Sequence, residues 1–137
     1  MGADADLIRR LTEDGFLKGD VGVVDELIAD DYVDHDPPPG FAGDKDGQLE
    51  LVRLISSAFS DVRLELHELI DTADGRVVEN WAMSGVHSGD AFGLPASGQR
   101  SRVRGVDIFR CENGKIVEHW GAVDMSDLFE KAGAAGA

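Results

Sequence analysis

Apolar residues recur at helical spacing in the first half of the chain and at alternating spacing in the second. Leu7, Ile8 and Leu11 share one helical face in a segment predicted to end near Lys18-Gly19, where glycine can stop a helix. Asp20 can cap a second short helix through Val24, Leu27 and Ile28. Asp46 precedes a third, with Val52, Ile55, Ala58 and Phe59 on one face. Between the second and third lies Asp31 to Gly40, where Pro37, Pro38 and Pro39 forbid a helix interior and impose a stiff, extended connection.

From Val62 onward the period is two. Val62, Leu64 and Leu66 alternate with Arg63, Glu65 and His67, and Asp74-Gly75 marks a turn before a strand from Arg76 to His87. A loop holding Gly89, Gly93, Pro95 and Gly98 leads to a strand from about Arg100 to Cys111. Asn113-Gly114 is the strongest hairpin signal in the chain, and its return strand runs Lys115 to Val123. Ser126 can cap a final short helix carrying Leu128 and Phe129, and the small-residue tail Ala132 to Ala137 is expected to fray. Helices followed by a meander of strands predict one α+β domain over residues 1–137, a curved antiparallel or mixed sheet under a helical lid that leaves a cone-shaped cavity.

Composition narrows the partners. Thirteen Lys+Arg face 27 Asp+Glu among 137 residues, for a formal charge of −14. That surface repels phosphate backbones and anionic lipid, so neither nucleic acid nor membrane is an expected partner. Cys111 is the only cysteine, which excludes an intrachain disulfide. The N-terminal residues lack the basic and apolar blocks of a secretion signal, so a cytoplasmic location is expected.

The hairpin can be counted. A two-residue Asn113-Gly114 loop sets Glu112 opposite Lys115, Phe109 opposite Glu118, Asp107 opposite Trp120 and Val103 opposite Asp124. In an unbroken register Asp107, Phe109, Trp120 and Asp124 then share a face. Two carboxyls on one dry wall can diverge in proton affinity, one serving as base and the other as hydrogen-bond donor; a bulge would undo the count. The opposing reading of Asp124 is a helix cap, and that of Asp107 a buried acid bonded to backbone. His119 points away from Trp120 in this register, toward a surface or interface role, and His67 alternates outward with Arg63 and Glu65. His87 shares the parity of Trp81 and Met83, suiting a pocket rim or a loop hydrogen bond.

No H-x-x-x-H, paired cysteine or local cluster of histidines with a carboxylate is present, so no metal is expected. Arg100, Arg102, Arg104 and Arg110 project opposite to Asp107, where pairing with acids outside or at an interface is the expected role. Trp81, Met83, Phe109 and Trp120 suit a flat aromatic substrate, although such side chains also simply fill cores.

Several stretches resemble the SnoaL-like branch of the NTF2-like superfamily: Asp31-Tyr32 with His35 and Pro37, Phe59-Ser60-Asp61, Gly85-Val86-His87-Ser88-Gly89, Gly93 to Gly98, Asp107 to Arg110, and Asn113 to Trp120 with Asp124. The resemblance implies an NTF2-like cone, usually dimeric through the outer sheet face. It further implies a polyketide cyclase closing a ring by intramolecular aldol condensation without cofactor. It places the proton-exchanging acid at Asp124 and sets His35 beside the pocket, while the same-face count makes Asp107 the polarising or orienting partner of Asp124. A hydrophobic or aromatic small molecule is the expected substrate, held by His35, His87, Trp81, Trp120, Phe109 and Met83. Alternatives within the resemblance are a cofactor-free hydroxylase and a non-catalytic small-molecule binder. Epoxide hydrolysis fits poorly, because the arginine that reaction wants two residues before the acid is here Gly105.

Overall fold

The structure, a computed structural model, describes residues 2–136. Helix α1 (Ala3–Arg10) runs directly into a π-helical segment, Leu11–Leu17, and together they form the single helical stretch that the spacing predicts. Asp4 and Asp6 in its first turn and Arg9 and Arg10 in its last complement the helix dipole. Helix α2 (Val21–Leu27) is capped by Asp20, whose carboxylate accepts from the Val23 N–H at 3.2 Å. Helix α3 (Lys45–Ala58) is capped by Asp44 rather than by Asp46: Gly47 N–H donates to Asp44 Oδ1 at 2.9 Å, and only Asp44 has the extended backbone a cap needs.

The sheet contains a strand that the apolar pattern did not reveal. β1 (Ile28–Asp34) follows α2 without a break, buries Ile28, Tyr32 and Asp34, and ends just before the proline run. It pairs in parallel with β5 (Lys115–Asp124), far away in sequence. β2 (Phe59–Asp71), β3 (Arg76–His87) and β4 (Arg100–Glu112) complete a five-stranded sheet in the order β1-β5-β4-β3-β2, antiparallel except at β1. Asn113 and Gly114 take the positive φ angles, 51° and 75°, that a tight hairpin turn requires.

Helices cover one face of the curved sheet. Ile8, Leu11, Val24 and Leu27 from the helices meet Ile28, Val77, Phe109 and Ile116 from the strands, and this apolar burial is what joins the two layers. The opposite face leaves Val33, Ile70, Val106 and Ile108 exposed. The last helix, α4 (Ser126–Gly136), lies against β4 with Leu128 and Ala132 buried and Phe129 exposed. Ala132, expected in a frayed tail, is thus helical and packed, and Ala137 lies outside the described residues. Among the described residues no helix is long and apolar enough to cross a membrane.

Candidate active site

The hairpin register holds for two pairs and then breaks. Glu112 faces Lys115 and Cys111 faces Ile116, but Arg110 faces Glu118, leaving Val117 as a bulge. Every later pair is displaced by one: Phe109 faces His119, Ile108 faces Trp120, Asp107 faces Gly121 and Arg104 faces Asp124. A one-residue shift exchanges the faces of all side chains beyond it. His119 therefore enters the interior, whereas Trp120 and Asp124 leave it.

Beneath the helices lies a cavity of about 350 Å³. Trp81, Met83, Phe109 and Asp107 line it, as their parity predicted. The Pro37–Pro39 connector and Phe92 of the glycine-rich loop line it as well, and the Phe41 and Phe92 rings meet at 6.3 Å. Apart from three aspartates, one glutamate and His119, its wall is mostly apolar, and no lysine or arginine is among the described residues lining it.

Its charged groups form a chain across four strands. Asp34 on β1 bonds His119 Nδ1 at 2.8 Å, and His119 Nε2 reaches Asp107 Oδ1 on β4 at 2.8 Å. The Trp81 indole N–H on β3 donates to Asp107 Oδ2 at 2.6 Å. Across from Asp107, at the directly paired position of β3, stands Glu79, whose Oε2 accepts from the Thr12 hydroxyl at 2.6 Å. Asp34 and Asp107 are each 7% exposed and Glu79 2%, so these charges interact with little solvent screening.

Two glycines make the chain possible. A Cβ on Gly121 would sit 2.4 Å from Asp107 Oδ1 and 2.9 Å from His119 Nε2; only a residue without one leaves room for that bond. A Cβ on Gly105 would come within 2.7 Å of the Trp81 ring, so Gly105 lets the indole lie across β4 and reach Asp107.

Environment separates the proton affinities. Burial works against a charged His119, but the hydrogen bonds and charges of Asp107 and Asp34 outweigh it and hold the imidazole up at about 9. At neutral pH His119 is an imidazolium between two carboxyls, donating to both. Burial pushes Glu79 up to about 7; the Thr12 bond opposes this and the nearby Asp107 adds to it. The carboxyls that face each other across the two strands sit in unlike surroundings, Asp107 between two N–H donors and Glu79 desolvated with a single hydroxyl donor. Among the described residues no group of three His, Cys, Asp or Glu side chains is placed to hold a metal ion.

The remaining expected site residues lie elsewhere. Asp124 is exposed, accepts from the Ser126 N–H and hydroxyl at 3.0 and 2.7 Å, and is held below its ordinary value by those bonds. That is the opposite of what a buried base needs. Trp120 lies outside the cavity wall, its ring stacked on His35 at 4.9 Å and covered by the Arg76 guanidinium at 5.2 Å. His35 reaches Glu118 at 2.6 Å, and Arg110 bonds the same carboxylate at 2.7 Å. Arg102 pairs with Glu65 and Arg100 with Asp61, as the outward reading of the arginines predicts. His87 is wholly buried, stacked on Phe59, and is not itself a lining residue.

Known proteins share this architecture. TsrD from Streptomyces laurentii is 28% identical with a TM-score of 0.80, covering 94% of this chain and 96% of its own. IdmH from Streptomyces antibioticus, named as a candidate polyketide cyclase, is 29% identical with a TM-score of 0.78 over 95% and 98%. AclR from Streptomyces galilaeus, named as a candidate hydroxylase, shares the fold at 23% identity and a TM-score of 0.82, over 96% of each chain. No curated protein sequence matches the chain significantly. The sequence profile of the SnoaL-like polyketide cyclases matches residues 6–131. Over nearly its whole length, then, the chain belongs to the SnoaL-like polyketide cyclase family.

Proposed function

We propose that this protein closes a ring in a polyketide-like substrate by aldol-type acid/base chemistry, with Asp107 as base and Glu79 as proton donor. The observation that carries this reading is the Glu79–Asp107 pair: two directly opposed carboxyls on the wall of one mostly apolar cavity, Asp107 held by two N–H donors and Glu79 desolvated and raised to about 7. Such a division supplies both halves of an aldol closure.

Asp107 removes a proton from the carbon between two carbonyls, and the resulting enolate carbon attacks a carbonyl elsewhere in the same molecule. A carbon–carbon bond forms, the carbonyl π pair moves to oxygen, and that oxygen takes the proton of Glu79. Return of the proton from Asp107 to Glu79, directly or through water, restores both groups. The product is an isomer of the substrate, and later loss of water gives an aromatic or conjugated ring. Trp81 and the Asp34-anchored His119 hold Asp107 in position.

Mass spectrometry on a panel of aromatic β-dicarbonyl compounds tests the reaction class. Cyclisation yields a product of unchanged mass, or one lighter by a water molecule. A product heavier by one oxygen marks a hydroxylase, and tight binding without turnover of any panel member marks a binding protein; either result overturns the cyclase reading. We further infer a homodimer, with Val33, Ile70, Val106 and Ile108 of the outer sheet face as its apolar contact. A monomer in light scattering at micromolar concentration refutes it.

A further inference from the structure

At the other end of the sheet from the acidic chain, two polar side chains are buried without partners. Ser101 is 3% exposed and lines the cavity, and its hydroxyl has no hydrogen-bond partner among the described residues. His87 is 0% exposed, and neither ring nitrogen has a partner among the described residues. The strand register relates them. Ser101 on β4 faces Gly85 on β3, and His87 is the next residue of the same parity, a diagonal neighbour of Ser101. Gly85 puts no side chain over the hydroxyl.

An orphaned buried donor costs about as much as a hydrogen bond contributes, and a neutral imidazole always carries one N–H. Ser101 thus presents an unanswered hydroxyl to the cavity, with His87 buried one diagonal step behind it. Asp107 lies six positions along β4 from Ser101, about 20 Å of strand at the usual rise. The Glu79–Asp107 pair therefore cannot be served by whatever completes this end.

We propose that Ser101, backed by His87, is a second polar subsite, which takes a neutral hydrogen-bonding oxygen, a phenol hydroxyl or a quinone carbonyl, at the end of the substrate remote from the closing ring. The inference deepens the cyclase reading and rests on it for the word substrate. It makes the substrate an elongated, flat molecule, apolar in its middle, where Trp81, Met83 and Phe59 line the cavity, and polar at both ends. A serine hydroxyl both donates and accepts, so it suits either oxygen without requiring charge.

A matched pair of probes tests the subsite without turnover: a monohydroxylated anthracene, and the anthracene carrying a methyl group in place of that hydroxyl, so that neither offers a carbonyl. Fluorescence titration of the full chain is expected to show about fivefold tighter binding of the hydroxylated probe, the worth of one hydrogen bond. Ser101→Ala is expected to abolish that preference while leaving affinity for the methyl probe unchanged. Equal binding of both probes by the wild type, or a preference that survives Ser101→Ala, overturns the proposal. His87→Phe supplies a second readout, because an apolar ring of similar shape is expected to raise Tm while reducing the preference. A lowered Tm would mean that the imidazole nitrogens are already satisfied, removing His87 from the subsite. Failure here leaves the cyclase reading intact if Asp107→Asn still abolishes ring closure; failure of that variant to lose activity sinks the reading itself.

Discussion

The two faces of the β4–β5 ribbon carry the same residue types and put them to opposite uses. Toward the cavity, Asp107 and His119 bond each other at 2.8 Å, each no more than 13% exposed in its side chain. On the outer face, Glu118 and His35 bond at 2.6 Å with 21% and 41% exposure, and Arg110 shares the same carboxylate. Outside, Arg110 and His35 hold Glu118 below its ordinary value, and Ser126 does the same for Asp124. Inside, burial pushes Glu79 up to about 7 and the flanking carboxyls hold His119 up at about 9. Acid, histidine and hydrogen bond are common to both faces; burial raises Glu79 and two carboxyls raise His119 inside, whereas an arginine and a histidine lower Glu118 outside. The inner face thereby raises its acid into the neutral range, whereas the outer face lowers Glu118 and Asp124.

The largest expected effect follows from that contrast. Asp107→Asn removes the base and is expected to lower ring closure by at least about a hundredfold, the lower range for loss of general-base catalysis. Asp124→Asn alters only the exposed Ser126 cap and is expected to leave kcat/KM within about twofold of the wild type. Steady-state kinetics on any accepted substrate compares the two. Were Asp124→Asn to prove the more damaging variant, the inner-face assignment would fail.

The contrast also explains how much could be read from the sequence. Alternation along β3 and β4 placed Trp81, Met83, Asp107 and Phe109 on the cavity wall, because an unbroken strand keeps its parity over any length. The same rule, applied to β3, puts Glu79 on the face of Trp81, so the second carboxyl is legible there, although the resemblance points to Asp124 instead. His119 was not legible. The bulge at Val117 has no composition of its own, and Asn113-Gly114 fixes only the first pairs of the hairpin. β1 itself is seven residues whose partner lies more than eighty positions away, and local patterns do not record such pairings. Asp34, the outermost member of the chain, was therefore hidden along with its strand.

A smaller effect probes the geometry of the inner face. Gly121→Ala places a methyl carbon 2.4 Å from the present position of Asp107 Oδ1, so the carboxylate and imidazolium must separate. Losing a buried, charge-assisted bond is expected to cost about 2–3 kcal/mol in denaturant unfolding. Equal stability of the variant would show that the pair contributes nothing to the fold.

The pH dependence of stability divides the two inner groups. His119 has a folded value of about 9 against an ordinary 6.5, so its stabilisation is complete below 6.5 and is lost as pH rises through 9. Glu79 is also raised, to about 7 from 4.5, so the proton it retains favours the fold at low pH and that benefit is gone by about 7. Tm is therefore expected to fall in two stages, between 4.5 and 7 and between 6.5 and 9. Glu79→Gln removes the first stage and His119→Gln the second. An unchanged upper slope in His119→Gln would assign that titration elsewhere.

The smallest effect belongs to the outer face. The Arg76 guanidinium lies 5.2 Å above Trp120, whose ring stacks on His35, and Arg76 is 46% exposed in its side chain. An exposed cation–π contact is worth at most about 1 kcal/mol, so Arg76→Ala is expected to shift the unfolding midpoint only slightly and to leave ring closure unchanged. High salt separates this contact from the inner chain: screening by added ions weakens exposed charge contacts far more than buried ones. Salt is expected to narrow the stability gap between Arg76→Ala and the wild type, while leaving that between Gly121→Ala and the wild type nearly constant. If both gaps close alike, solvent reaches the inner chain as freely as the outer one, and the distinction between the faces no longer rests on desolvation.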